Sequence, residues 1–117
     1  ARKEARQFIQ ARLDAGEKVR GYEVDRRLKE RFEQLGCAQY LMHRTGHNIG
    51  HRCHGIGANL DDYETHDDRC LLPGTMFSIE PGLYTDKYGV RLEYDVHITS
   101  EGETKVYGPV QDEILVI

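Results

Sequence analysis

The 117-residue sequence has no tryptophan, only three prolines, and three cysteines that are odd in number and widely spaced. With no CxxC pair among Cys37, Cys53 and Cys70, a disulfide framework is not expected. Free thiols fit a reducing cytoplasm. No apolar run approaches the roughly 18 residues of a membrane span, and no signal peptide is visible, so no membrane role is expected. Lys and Arg form no basic run and the net charge is −4, so the chain lacks the electrostatic footprint of a nucleic-acid binder. What is present, 38% hydrophobic and 31% charged residues, fits a globular domain at a length that supports one core but not two.

The first third reads as helical. Ala5, Phe8, Ile9 and Leu13 fall on one helix face, and Gly16 is placed to stop that helix. A second helix is predicted over Glu23–Leu35, with Val24, Leu28, Phe32 and Leu35 at helical spacing and Gly36 as its stop. From residue 43 onward glycines are frequent and β-favouring residues dominate. Val90, Leu92, Tyr94, Val96 and Ile98 alternate with Arg91, Glu93, Asp95 and His97, which predicts one strand with an apolar face. The preceding MFSIEPGLY alternates as well, with Phe77 and Ile79 on one side and Met76, Ser78 and Glu80 on the other. Between the two lies TDKYG, rich in turn residues. A tight turn on Asp86 and Lys87 makes Thr85 face Tyr88 and, counted outward, sets Glu80 opposite Glu93. Like charges directly across a strand pair repel, so either both are left exposed to water or a cation sits between them.

Four of the six histidines lie in HRTGHNIGHRCHGIG: His43, His47, His51 and His54. Their spacing invites comparison with the HExxH helix of zinc proteases, but HRTGH lacks the glutamate, and Gly46, Gly50, Gly55 and Gly57 each cost a helix about 1 kcal/mol relative to Ala. A glycine-rich strand and loop is expected instead, with His43 and His47 on one strand face and His54 returning through the loop. His51 is expected to pack within the loop, and His66 and His97 to be structural or surface residues. Asp61, Asp62, Glu64, Asp67 and Asp68 lack the order of a calcium loop and are expected to form a solvated surface loop. Tyr84, Tyr88 and Tyr94 are assigned to sheet packing, with the option that one borders a pocket.

HRTGHNIG, His54, PGTMFSIEPGLY and GVRLEYDVHIT together resemble the C-terminal half of the pita-bread metallopeptidases, the group of aminopeptidase P, prolidase, methionine aminopeptidase and the non-peptidase creatinase. The combination H-x3-H-x6-H, IEPG and a Glu on the next strand carries the resemblance, which covers essentially the whole chain. His43, four residues before His47, points to the Xaa-Pro-cleaving branch. The resemblance implies an α+β fold: two helices packed on a curved, mostly antiparallel sheet. It implies His47, Glu80 and Glu93 as metal ligands, with Glu93 bridging two divalent ions. His54 would steady the substrate or the tetrahedral intermediate, His43 would line the substrate pocket, and Arg91 would steady carboxylates or substrate.

Two such ions about 3.5–4 Å apart can share a water and lower its pKa towards about 7. Carboxylates with one imidazole suit Mn²⁺, Co²⁺ or Zn²⁺ without selecting among them. The family's site uses five protein ligands, two of them aspartates on upstream strands. Asp14 and Asp25 lie in helical contexts and do not supply them. The expectation is therefore that residues 1–117 are the C-terminal part of a larger metallopeptidase catalytic domain, with weak metal binding and no hydrolysis by this chain alone. The expected substrate is a peptide with proline after its N-terminal residue, and the expected assembly is a homo-oligomer. Two alternatives stay open: a catalytically silent binding module, and a creatinase-like C–N hydrolase.

Overall fold

Residues with apolar side chains at helical spacing open the chain as two helices. The computed structural model, which describes residues 1–114 and 116, places α1 at Arg2–Asp14 and α2 at Gly21–Gln34. Ala5, Ile9, Val24, Leu28 and Phe32 are buried, and Phe8 and Leu13 pack at the core's margin. Gly16 and Gly36 follow the helix ends at φ +70° and +69°, the left-handed conformation that glycine adopts without steric cost. α2 starts at Gly21 rather than Glu23. The Gly21 and Tyr22 amides donate to the Arg69 and Asp67 carbonyls at 3.1 and 2.9 Å, and the Glu23 carboxylate accepts the Arg20 amide at 2.7 Å. The first turn is thus satisfied by the distant carbonyls of residues 67 and 69 and by the Glu23 side chain reaching back to the Arg20 amide, which local propensity does not reveal. Leu35 falls just past the helix and is 58% exposed rather than buried.

Among the described residues six strands follow: β1 (Asn48–Ile49), β2 (Met76–Ile79), β3 (Gly82–Tyr84), β4 (Gly89–Arg91), β5 (Tyr94–Ile98) and β6 (Thr104–Val106). The first sheet runs β1-β2-β5-β6, antiparallel throughout, and β3 pairs with β4 as a separate hairpin. The single strand expected over 90–98 is therefore two, and Val90 is exposed. Pro81 explains the break, because it has no amide to donate to the ladder. Register nevertheless carries across the gap: Ile79 opposes Tyr94, and Gly82 opposes Arg91. The residues between, Glu80–Pro81 and Leu92–Glu93, therefore face each other, Glu80 against Glu93. The turn is the expected one, with the Thr85 amide donating to the Tyr88 carbonyl at 2.8 Å.

Phe77, Ile79, Val96 and Ile98 meet the helical residues in one core, so two helices lie against an antiparallel sheet in an α+β arrangement. Among the described residues, no helix is long and apolar enough to cross a membrane. The stretch 43–47 is not a strand; only Asn48 and Ile49 are, so His43 and His47 do not share a strand face. The acidic segment also departs from expectation, because Asp61 and Asp67 are buried. Asp61 Oδ1 accepts the amides of Tyr63, Glu64 and Thr65, shaping the loop from inside. Asp67 accepts the Asn59 amide and the Arg69 guanidinium; the latter is the main cause holding its carboxyl below the usual range. His51 is exposed rather than packed into its loop. His66 sits at the surface, 2.6 Å from Asp62, and His97 lies 3.3 Å from the Tyr107 hydroxyl.

Candidate metal centre

Gly46 allows the His47 segment to lie flat on β2. A Cβ there would come within 2.0 Å of the Ser78 carbonyl oxygen. Backbone bonds then lock the two segments together: Ser78 amide to His47 carbonyl at 2.9 Å, and Glu80 amide to Thr45 carbonyl at 2.8 Å. The chain before His47 is anchored to α2 by Asp25, whose carboxylate accepts the Thr45 amide and hydroxyl and the Asp62 amide at 2.6–2.8 Å. Burial pushes the Asp25 carboxyl up, and these donors oppose that shift.

The buried imidazole of His47 is oriented from one side. Its Nδ1 lies 3.1 Å from the Asn48 carbonyl oxygen, which only accepts, so Nδ1 carries a proton and, in the neutral ring, Nε2 holds the lone pair. Nε2 is 3.3 Å from Glu80 Oε1, an acceptor facing an acceptor, which calls for a proton or a cation between them. The fully buried Ser78 hydroxyl accepts the His47 amide at 3.0 Å and donates to that same Glu80 oxygen at 3.0 Å. Glu93 completes the group: donor atoms of His47, Glu80 and Glu93 all lie within 4.8 Å of one another. The Glu93 carbonyl is held by Arg2 at 3.2 Å, so α1 braces this corner. Arg91 Nη1 stands 3.7 Å from Glu80 Oε2, but its exposed side chain leaves two facing carboxylates only weakly compensated.

The other expected site residues divide. The exposed His54 lies beside His47, with ring centroids 4.2 Å apart and planes tilted by 44°, and thus borders the cluster. His43 instead pairs with the hairpin: its Nδ1 faces the Arg44 carbonyl at 2.7 Å, so Nε2 accepts the Tyr84 hydroxyl at 2.8 Å. Sequence reasoning missed Ser78, although the alternation of MFSIE puts it on the Glu80 side. It also missed Cys53, whose thiol joins His47 and His54 in a second group of close donors. Nothing in the pattern signalled that, because the 50–57 loop is set by Asn48. The Asn48 side chain accepts the Gly57 amide at 3.0 Å, and its carbonyl accepts the Gly55 amide at 2.8 Å. A cavity of about 470 Å³ between α1 and β6 is lined by Arg2, Arg6, Tyr94 and Thr104 and includes none of the clustered donors. Its arginines already donate to the Glu93 and Thr104 carbonyls.

The model of metallopeptidase family M24 matches residues 3–100. The chain belongs to this family. M24 enzymes depend on divalent metals, and the cluster of His47, Glu80 and Glu93 has the donor chemistry to hold one. Among curated relatives, the probable dipeptidase PepE of Mycobacterium tuberculosis is 36% identical over 90 residues, covering 75% of this chain and 23% of its own. The Xaa-Pro dipeptidase of Lactobacillus helveticus is 32% identical over 102 residues, covering 83% of this chain and 26% of its own. Among solved structures, the prolidase of Pyrococcus horikoshii superposes with a TM-score of 0.72 at 27% identity, over 84% of this chain and 27% of that one. The fold is accordingly part of the pita-bread fold of the prolidases. The chain spans about a quarter of the length of the curated relatives it matches.

Proposed function

We propose that this M24 chain contributes part of the catalytic site of an Xaa-Pro dipeptidase or aminopeptidase, with His47, Glu80 and Glu93 as metal ligands. One observation carries the reading: an imidazole and two carboxylates that face each other between two strand pairs in register converge within 4.8 Å, offset among the described residues by the Ser78 hydroxyl and an exposed arginine. Divalent cations, Mn²⁺, Co²⁺ or Zn²⁺, would supply there an activated water and a polarised peptide carbonyl. In the active enzyme the reading takes two, completed by carboxylates this sequence does not contain. Asp14, bonded to Gln10, and Asp25, committed to Thr45 and Asp62, are not available for that task.

Each residue then has a task. Asn48 fixes the His47 tautomer so that Nε2 presents its lone pair, and Ser78 steers Glu80 by its hydroxyl proton. A ring nitrogen of His54, beside His47, exchanges a proton with the leaving amine. The His43–Tyr84 pair offers a polar wall of fixed donor sense for the substrate. Arg91 steadies Glu80 and takes a substrate carboxylate on its exposed guanidinium. The substrate of the whole enzyme is a peptide with proline in second position, and the cytoplasm and a homo-oligomer are its proposed setting.

The experiment is a paired one: metal titration of this chain, and hydrolysis of an Xaa-Pro dipeptide with added Mn²⁺ or Co²⁺. The reading predicts weak cation binding and no turnover by this chain. Robust turnover by this chain overturns the incomplete ligand set, and absence of any cation binding overturns the ligand assignment.

A further inference from the structure

The sequence HRCH places Cys53 immediately before His54, in a loop that Gly55 and Gly57 fold back onto Asn48. A Cβ at Gly55 would come within 2.1 Å of the Asn48 side-chain oxygen, so the loop's return path is set by close packing. That path brings the Cys53 thiol, a His54 nitrogen and a His47 nitrogen within 4.8 Å of one another. Around a tetrahedral zinc with Zn–N near 2.0–2.1 Å and Zn–S near 2.3 Å, such donors stand roughly 3.3–3.6 Å apart. Side-chain rotation at Cys53 and His54 can close the difference: both are exposed, and among the described residues neither side chain has a hydrogen-bonded partner to give up, whereas His47 is already buried and oriented.

We propose that His47, Cys53 and His54 form a second metal site, for a zinc-like cation that accepts sulfur and nitrogen, distinct from the site of Glu80 and Glu93. Binding displaces the thiol proton of Cys53 to solvent and forms a metal–thiolate bond, with the fourth tetrahedral position left to water. Ligand softness separates the two sites: thiolate and imidazole select zinc over manganese, while the carboxylate site accepts manganese as well. They are also exclusive. Nδ1 of His47 donates to the Asn48 carbonyl, so Nε2 holds the ring's one lone pair and serves one ion at a time. A zinc ion captured by Cys53 therefore withdraws His47 from Glu80 and Glu93, and lowers the affinity of that site for Mn²⁺.

The test uses Co²⁺ as the probe on the reduced chain under anaerobic conditions. A near-ultraviolet thiolate-to-cobalt charge-transfer band is expected, bleached by Zn²⁺. It is expected to vanish in Cys53→Ser, to persist in a Cys37→Ser, Cys70→Ser variant, and to need at least about tenfold more Co²⁺ in His54→Asn. Circular dichroism matching the parent chain checks that each variant folds. The Glu80→Gln, Glu93→Gln variant should keep the band, which separates this site from the carboxylate reading: Mn²⁺ binding can fail while the band survives. Absence of the band, its persistence in Cys53→Ser, or its loss in the double glutamine variant each overturns the proposal.

Discussion

Ser78→Ala isolates the contact that joins the two halves of the proposed metal centre. The hydroxyl is fully buried, accepts the His47 amide at 3.0 Å and donates to Glu80 Oε1 at 3.0 Å. Alanine fits the same space, so no overpacking confuses the result. Two losses follow. The His47 amide becomes a buried donor without its partner, at about 1–3 kcal/mol, and Glu80 loses a charge-assisted donor of similar worth, partly replaced by water because the carboxylate is not fully buried. A net loss of about 2–3 kcal/mol lowers the melting temperature of a chain this size by roughly 6–12 °C. With Glu80 free to swing, affinity for Mn²⁺ should fall about 10–100-fold. Thermal unfolding followed by circular dichroism reads the first effect, and isothermal titration with Mn²⁺ reads the second. A variant as stable as the parent, with unchanged Mn²⁺ affinity, refutes the view that this hydroxyl positions the site.

Gly46→Ala drives a methyl carbon to within 2.0 Å of a backbone carbonyl oxygen that cannot rotate away, so it should cost about 3 kcal/mol or more, seen as a lowered urea midpoint or loss of soluble folded chain. Glu93→Gln removes one of two facing charges, so without metal it should stabilise the chain by a few tenths to about 1 kcal/mol in urea denaturation while abolishing stabilisation by Mn²⁺; a destabilised metal-free variant counts against the repulsion. Asp25→Ala strands three donors and should destabilise by about 3 kcal/mol or more in the same assay. The Asp25 carboxyl also gives a pH signature. Its folded pKa is raised by burial above the ordinary 3.8, so the folded chain holds that proton more tightly than the unfolded one. This contribution is complete below pH 3.8 and fades as pH rises through the folded value, so the stability gap between parent and Asp25→Asn should narrow across that window. A gap constant with pH contradicts the shift.

Patterns with a fixed period were readable from the sequence, and contacts imposed by distant chain were not. Helical spacing gave both helices and their buried faces, and glycine marked both ends. Period-two alternation around one turn gave the register that sets Glu80 opposite Glu93, even though Pro81 splits the expected strand into two pairs in different sheets. The early start of α2 was hidden because its amides are satisfied by residues 67 and 69. The acidic loop misled for a related reason. Aspartates read as solvated when counted by charge, yet Asp61 and Asp67 are buried by accepting the loop's own amides and Arg69. Likewise His43 is set by the Tyr84 hydroxyl and Cys53 by the folding of its loop onto Asn48, long-range and loop-geometric facts with no periodic signature.

The central claim is that His47, Glu80 and Glu93 hold a common cation. Mn²⁺ titration in the Cys53→Ser background, following free Mn²⁺ by electron paramagnetic resonance, tests it most directly because it removes the thiolate and chooses a cation suited to carboxylates. Saturable binding that is lost in Glu80→Gln, in Glu93→Gln and in His47→Asn is the predicted result. Equal Mn²⁺ uptake by all four proteins, or none by the parent, contradicts the claim.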